Sequence, residues 1–160
     1  MAGTSTTAFE PDSAMTRAMF VSMLYRMAGS PALTGSPSDI FSDCGSETWY
    51  ADAVLWAAQN HITKGVAASS FAPEEILTRE QMAAMLYRYA LHTGAPAEIC
   101  AQTGIKLSFL DESSIDDWAR PGVAYCTGAG ILNGKSSAIF APQDAATRAM
   151  GAAVIFRLAA

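Results

Sequence analysis

The sequence predicts an all-α fold in which three amphipathic helices share one apolar core. The first observation is that a segment of 24 residues occurs three times, without a gap, in a chain of 160. The second is that the later part of each copy carries apolar residues at the i, i+3, i+4, i+7 spacing of an amphipathic helix. The third is that the linkers GSPALTGSPSD and HTGAPAEICAQTG are rich in turn residues and lack periodicity.

The three copies align on their phenylalanines. They read GTSTTAFEPDSAMTRAMFVSMLYR, GVAASSFAPEEILTREQMAAMLYR and GKSSAIFAPQDAATRAMGAAVIFR. Gly65 follows Gly3 by 62 residues, and Gly134 follows Gly65 by 69. Self-similarity of this kind indicates a repeat architecture, in which each unit buries its apolar face against its neighbours.

The second and third copies also share an upstream half. FSDCGSETWYADAVLWAAQNHITKG matches FLDESSIDDWARPGVAYCTGAGILNG, whereas the first copy has no such half. These stretches predict a first helix over residues 50–60 and its counterpart over 119–129. Pro121 lies near the first turn of the latter, where its missing N–H costs little. The repeat unit is therefore loop, helix, loop, helix.

The start of each second helix carries an arginine that does not suit the helix. Thr78 and Gln81 form a predicted capping box, in which each side chain accepts a backbone N–H bond. Arg79 follows in the first turn, where the helix dipole disfavours a cation by roughly 0.3–1 kcal/mol. The same pair occurs at Thr16-Arg17 and Thr147-Arg148. Because an arginine occupies this position in all three copies, we infer that it serves a purpose other than helix stability.

Charge and composition exclude several classes of function. A formal charge of −5 with only 16% charged residues argues against nucleic acid, which needs clustered Lys and Arg, and against attraction to an acidic membrane surface. No stretch approaches the roughly 18–20 apolar residues of a membrane span. An anionic ligand would therefore be held locally, by a few placed arginines.

Catalysis and metal binding gain little support. Cys44, Cys100 and Cys126 lack zinc-type spacing, so we expect either small semi-buried thiols or one disulfide with a thiol left over. His61 and His92 have no evident nucleophile nearby, and no nucleophile-elbow motif is present. We expect no enzyme activity, no cofactor and no metal in this chain.

The motifs together resemble the S-layer homology (SLH) domain. They are F-x-D near a Trp, a short Ala-rich helix, I-x-x-G, F-x-P, and T-R before an apolar helix. We expect the C-terminal half of a first repeat over 1–30, a second repeat over 41–91 and a third over 109–160, packed as one domain. The resemblance implies a pseudo-threefold domain with a central helix bundle, short helices and long loops. It also implies an extracellular location at the bacterial cell wall, with any signal peptide outside this chain.

The family resemblance implies grooves between repeats that bind secondary cell-wall polysaccharide, often bearing a pyruvyl ketal. The ketal presents a carboxylate on a neutral sugar. Arg17, Arg79 and Arg148 are the main candidates to bind it, because a first-turn guanidinium adds a charge-assisted pair to the N–H groups of a helix start. Arg26, Arg88 and Arg157, near the helix C-termini, are interpreted as structural.

Six further residues complete the candidate site, each with a structural alternative. The tryptophans offer flat faces to a sugar or belong to the core; the aspartates accept sugar hydroxyls or cap a turn; the glycines admit a ligand or end a helix. They are Trp49, Trp118, Asp43, Asp111, Gly65 and Gly134.

Departures from the family pattern limit the expected site. The position that commonly holds Glu after T-R-x holds Met19, Gln81 and Met150, and Gly151 loosens the apolar stripe of the third copy. The absent first helix predicts an exposed apolar face and a possible homodimer through it. The competing function is a protein-interaction or self-association module without carbohydrate binding.

Overall fold

The computed structural model describes residues 8–94 and 107–159. Within these ranges the chain forms helices and loops, with isolated β-bridges and no extended strand, so the predicted all-α class is confirmed. The helices are α1 (Arg17–Met27), α2 (Ala51–Gln59), α3 (Arg79–His92), α4 (Arg120–Gly128) and α5 (Arg148–Ala159), with 3-10 turns at Pro37–Asp39 and Glu112–Ser114. Linker residues 95–106, which include Cys100, lie outside the described residues.

The helices begin where the sequence predicts. Thr78 caps α3 by accepting the Gln81 N–H, and the Gln81 side chain accepts the Thr78 N–H, so the predicted capping box is confirmed. Thr16 and Thr147 cap α1 and α5 by accepting the N–H three residues on. Each cap fixes the direction in which its arginine leaves the helix start.

Three residues just before these helices form a closed ring of backbone hydrogen bonds. Met15 N donates to Ala146 O at 2.9 Å, Ala146 N to Leu77 O at 2.8 Å, and Leu77 N to Met15 O at 2.9 Å. Because every segment both donates to one neighbour and accepts from the other, the ring has the approximate threefold symmetry that the resemblance implies. The division into one partial and two full repeats stays a prediction from the sequence.

The short helices pack on the longer ones through matched aromatic pairs. Tyr25 of α1 meets Trp56 of α2 with ring centroids 5.7 Å apart, and Tyr87 of α3 meets Tyr125 of α4 at the same separation. Phe156 is the corresponding residue of α5, and its side chain is 75% exposed. The exposed apolar face stays a prediction, and Phe156 is the exposed aromatic side chain that supports it among the described residues of α5.

One buried core takes side chains from all three copies, including Phe20, Leu86 and Val154. Gly151 does not loosen this core, contrary to the expectation from the sequence. A Cβ on it would approach the Met15 Cε atom to 2.6 Å, so the Met15 side chain already fills the space. Among the described residues, no helix combines the length and apolarity needed to cross a membrane.

Candidate binding grooves between the repeats

The recurring arginines fold back from the helix starts onto the neighbouring copy. Each donates from Nε to the carbonyl of that copy's phenylalanine and places its guanidinium over the ring of the same residue. The pairs are Arg17 with Phe71 (2.8 Å), Arg79 with Phe140 (2.9 Å) and Arg148 with Phe9 (2.8 Å). The guanidinium carbons lie 4.8 to 5.0 Å from the ring centroids, within cation–π range. The arginines therefore join the repeats, whatever else they do.

The helix starts themselves do not offer the free N–H groups that an anion site at a helix terminus would use. Arg79 N donates to Asp144 O and Glu80 N to Pro142 O, both at 3.0 Å. The next N–H is taken by the threonine cap, and α1 and α5 follow the same pattern. A ligand would thus meet guanidinium groups there and not an open helix terminus.

Groove A lies between α1, α3 and the loop before the second copy's phenylalanine, and has a volume of about 420 Å³. Its lining residues are Arg17, Thr63, Lys64, Gly65, Val66, Gln81, Ala84, Met85, Arg88 and Trp118. Of these described residues three are cations and none is a carboxylate, in a chain whose net charge is −5.

Groove B is the equivalent space one copy further along, with a volume of about 320 Å³. Its lining residues are Arg79, Leu132, Asn133, Gly134, Lys135, Ala149, Met150, Ala153, Val154 and Arg157. The two sets correspond position by position, apart from Trp118 in groove A and Ala149 in groove B. Two of the predicted arginines and both predicted glycines therefore lie in grooves.

The cations of groove A are close enough to influence each other. Burial lowers the pKa of Arg17. The negative charges of Glu75 and Asp43 partly offset this effect, and the positive charge of Arg88 lowers the pKa further. Burial also lowers the pKa of Arg88. Positive charges that are already partly desolvated gain more from a bound anion than charges in open water do.

The two predicted tryptophans have different surroundings. Trp118 lines groove A, is 49% exposed, and donates from its indole N–H to Asp116 at 3.0 Å. Trp49 is 60% exposed and packs edge-on against Tyr50, but lines neither groove. Arg148 likewise lies outside both linings. Of the two predicted tryptophans, only Trp118 therefore lies in a groove together with predicted arginine and glycine residues.

The two predicted aspartates hold loops, which is the alternative that the sequence left open. Asp43 accepts bonds from the N–H groups of Phe71 and Ala72 and from the Ser70 hydroxyl. Asp111 accepts from the N–H groups of Phe140 and Ala141 in the same way. Since both carboxylates are occupied and line neither groove, the structure does not support them as sugar ligands.

We expect Asp43→Asn to lower the free energy of unfolding by about 1–2 kcal/mol at neutral pH, because a charged acceptor is lost. Solvent screening at this exposed site keeps the loss small. Backbone and Ser70 hydrogen bonds outweigh desolvation and lower the pKa of Asp43 from 3.8 to about 2. A carboxylate whose pKa is lowered by folding stabilises the folded state at pH values above its ordinary pKa. This stabilisation is lost as the pH falls through the lowered pKa. Urea titrations should therefore show the wild-type and variant curves converging between pH 3.8 and about 2. A constant gap across that window would contradict this assignment.

The predicted glycines lie at close backbone contacts. Gly65 has φ +76°, and a Cβ there would lie 2.7 Å from Phe41 Cε1 and 2.9 Å from Ala67 O. A Cβ on Gly134 would lie 2.5 Å from Ser136 O and 2.8 Å from Phe109 Cε1. Loop packing accounts for both glycines without a ligand.

Sequence reasoning did not place Lys64, Arg88 or Arg157 in the candidate site. The positions of Arg88 and Arg157 near the helix C-termini predict a structural role toward the helix dipole, yet both side chains line grooves and donate to loop carbonyls. Their fixed spacing from the Thr-Arg pairs was the available signal. Lys64 gave no signal, because Asn133 stands at its position in the next copy.

The remaining reactive side chains form no centre in the described part of the chain. Cys44 and Cys126 are buried free thiols. Burial raises the pKa of Cys44 to about 12, and Asp43 adds to the effect. No group of three His, Cys, Asp or Glu residues suited to a metal ion occurs in residues 8–94 or 107–158.

Comparison with known proteins places the repeats in one family. The sequence model of the S-layer homology domain matches residues 40–83 and 108–149. An amylopullulanase of Thermoanaerobacterium thermosulfurigenes is 38% identical over 157 residues, which are 98% of this chain and 8% of that protein. Exoglucanase XynX of Acetivibrio thermocellus is 36% identical over 159 residues, which are 98% of this chain and 14% of that protein.

A surface-layer 125 kDa protein of Lysinibacillus sphaericus is 29% identical over 97 residues, which are 61% of this chain and 8% of that protein. The chain thus spans 8–14% of the length of these relatives. The family match covers more than half of the chain and includes both sets of groove loops. The chain therefore belongs to the S-layer homology domain family, whose members attach cell-surface proteins to the bacterial cell wall.

Proposed function

We propose that this chain is a non-catalytic, non-covalent wall anchor that binds a carboxylate-bearing secondary cell-wall polysaccharide between its repeats. The observation that carries the proposal is the lining of groove A. Its described residues, which include three cations, a half-exposed indole and no carboxylate, surround about 420 Å³ of space, enough for a sugar unit.

Each part of groove A suits one part of such a ligand. A pyruvyl ketal on a sugar carries one carboxylate, which the guanidinium groups and Lys64 attract by charge-assisted hydrogen bonds of about 1.5–3 kcal/mol each. The indole of Trp118 offers an apolar face to the sugar ring, and Thr63 and Gln81 offer hydrogen-bonding groups at the wall. A neutral polymer would give the three cations no anionic partner inside the groove.

The relatives are compatible with anchoring as the shared function. An amylopullulanase, an exoglucanase and a surface-layer protein differ in name but align with this chain over a small part of their length. In this proposal any catalytic activity of the parent protein belongs to other segments.

We expect the chain to sediment with purified wall sacculi of its source organism, and its apparent Kd for the sacculi to rise about tenfold when mild acid removes the pyruvyl groups, as loss of one charge-assisted contact implies. Soluble polysaccharide from the same walls should compete, and the same polysaccharide after acid treatment should not. Quantifying protein in pellet and supernatant measures both effects. Equal binding to treated and untreated sacculi would reject the pyruvyl carboxylate, and absence from both pellets would reject wall binding.

A second candidate function is self-association through the exposed face of α5. The observation in its favour is Phe156, which is 75% exposed where Tyr25 and Tyr87 each contact an aromatic residue of a short helix. If copies pair through this face, sedimentation velocity should show a mass that rises with concentration, and Phe156→Ser should abolish the rise. Leu110→Ser is the matched control, because Leu110 is 83% exposed but lies outside α5. A monomeric wild type at all concentrations would reject this candidate.

A further inference from the structure

We propose that the two grooves are functionally unequal: groove A binds the carboxylate of a sugar, whereas in groove B both outer nitrogens of the arginine are already bonded to the chain itself. The inference rests on the proposed polysaccharide binding and adds which groove performs it. It predicts one acidic sugar unit per chain, held by Arg17, Lys64 and Arg88.

The difference begins at the outer nitrogens of the two arginines. Arg79 in groove B donates from Nη2 to Asn133 O at 2.7 Å and from Nη1 to the Met150 sulfur at 3.4 Å. Arg17 in groove A is 3% exposed, and its Nη2 has no hydrogen-bond partner among the described residues. A buried guanidinium nitrogen without an acceptor is unfavourable, and a carboxylate in the groove would supply that acceptor.

The two corresponding positions in groove A give Arg17 one acceptor instead of two. Gln81 stands where groove B has Met150, and its side-chain oxygen accepts from Arg17 Nη1 at 3.4 Å and from the Thr78 N–H at 3.3 Å. Lys64 stands where groove B has Asn133, and no bond joins Arg17 to its carbonyl within the described structure. In groove B the Asn133 carbonyl therefore occupies the position that an anionic oxygen would take.

The lysines reinforce this inequality. Lys135 in groove B forms an ion pair with Asp144 at 2.5 Å, so part of the positive charge of that groove is already neutralised. Lys64 in groove A is exposed and forms no ion pair within the part of the chain that the structure describes. An incoming anion would gain a free cation in groove A and would compete with Asp144 in groove B.

The third difference is the aromatic wall. Trp118 lines groove A, whereas the described residues that line groove B include no aromatic side chain. Groove A thus combines a carboxylate site with a sugar-stacking face. The chemistry it fits is a sugar with a single carboxylate, whether that group is a pyruvyl ketal or the C6 carboxylate of a uronic acid.

The test is a heteronuclear NMR titration of the ¹⁵N-labelled chain with the methyl glycoside of a pyruvyl-ketal hexose. A second arm uses a methyl hexuronoside, and the uncharged methyl hexoside serves as the blank. We expect the amides of Lys64, Gly65 and Val66 to shift and those of Asn133 to Lys135 to stay in place. The two charged arms distinguish the source of the carboxylate.

Matched variants distinguish the contributions of the two grooves to binding, and they leave Arg17 and Arg79 unchanged. Lys64→Gln with Arg88→Gln removes two groove A cations, and Lys135→Gln with Arg157→Gln removes two groove B cations. We expect the first pair to weaken binding of the charged glycosides at least about tenfold and the second less than about twofold, since each charge-assisted contact corresponds to about a tenfold change or more. Thermal melts of both doubles establish that they remain folded.

Shifts in groove B, equal losses from both doubles, or no loss from either double would overturn the inequality while leaving sugar binding intact. Wild-type binding of neither charged glycoside, together with failure to sediment with sacculi, would instead overturn the proposed function itself.

Discussion

Replacing Arg79 by alanine should lower the free energy of unfolding by about 3–5 kcal/mol, the cost of losing two buried charge-assisted hydrogen bonds together with the packing of the side chain. The Arg79 side chain is 2% exposed and donates to Phe140 O at 2.9 Å and Asn133 O at 2.7 Å. Its removal would leave both carbonyls without these donors and would open a void over the Phe140 ring. Arg79→Lys should recover little, because an ammonium cannot reproduce the planar fork that reaches both acceptors.

Urea unfolding at neutral pH measures this loss, and Arg26→Ala is the matched control. Arg26 lies in the last turn of α1 and is exposed, so its loss should cost within about 0.5 kcal/mol. If Arg79→Ala proved as mild as Arg26→Ala, the arginine would not join the repeats. Its first-turn position would then have to be explained by ligand binding alone.

Gly65→Ala should cost about 3 kcal/mol or more, from a strained backbone conformation combined with a clash that cannot relax cheaply. The added methyl would collide with the backbone carbonyls of Ser70 and Ala67, which belong to the same tight loop. That loop carries Phe71, whose carbonyl accepts from Arg17. The substitution should therefore disturb groove A as well as stability.

Gly29→Ala separates the two causes. Gly29 has φ +85°, but nothing beyond its chain neighbours lies within 4 Å of the place that an alanine Cβ would take, so this change should cost only about 1 kcal/mol of backbone strain. Differential scanning calorimetry of the two variants should show a clearly larger drop in Tm for Gly65→Ala. Equal drops would mean that the loop yields and that close packing does not explain the glycine.

Much of the fold could be predicted from short-range patterns. The threonine caps, the Gln81 capping box and the place of Pro121 all depend on contacts within one helical turn, which sequence spacing fixes directly. The predicted helices 50–60 and 119–129 are α2 at 51–59 and α4 at 120–128, each one residue shorter at both ends. The repeat itself needed only the three aligned segments.

The candidate site could be predicted only in part. The choice of Arg17 and Arg79 follows from their unfavourable place in the first turn, and both lie in grooves. The interpretation of Asp43 and Asp111 as sugar ligands is not supported, because these carboxylates accept from N–H groups 28 to 30 residues away. Spacing along the chain gives no sign of such partners.

The sequence by itself determined the repeat, the helix class, the caps and the unusual arginines, because each follows from residues within one turn or from self-similarity. Only the tertiary structure decided where those arginines go, since their phenylalanine partners lie 54, 61 and 139 residues away. It also decided that the two grooves, although their linings correspond, differ in whether their cations already have partners within the chain. In groove B, Asn133 O accepts from Arg79 and Asp144 pairs with Lys135, whereas among the described residues Arg17 Nη2 has no acceptor and Lys64 forms no ion pair in groove A.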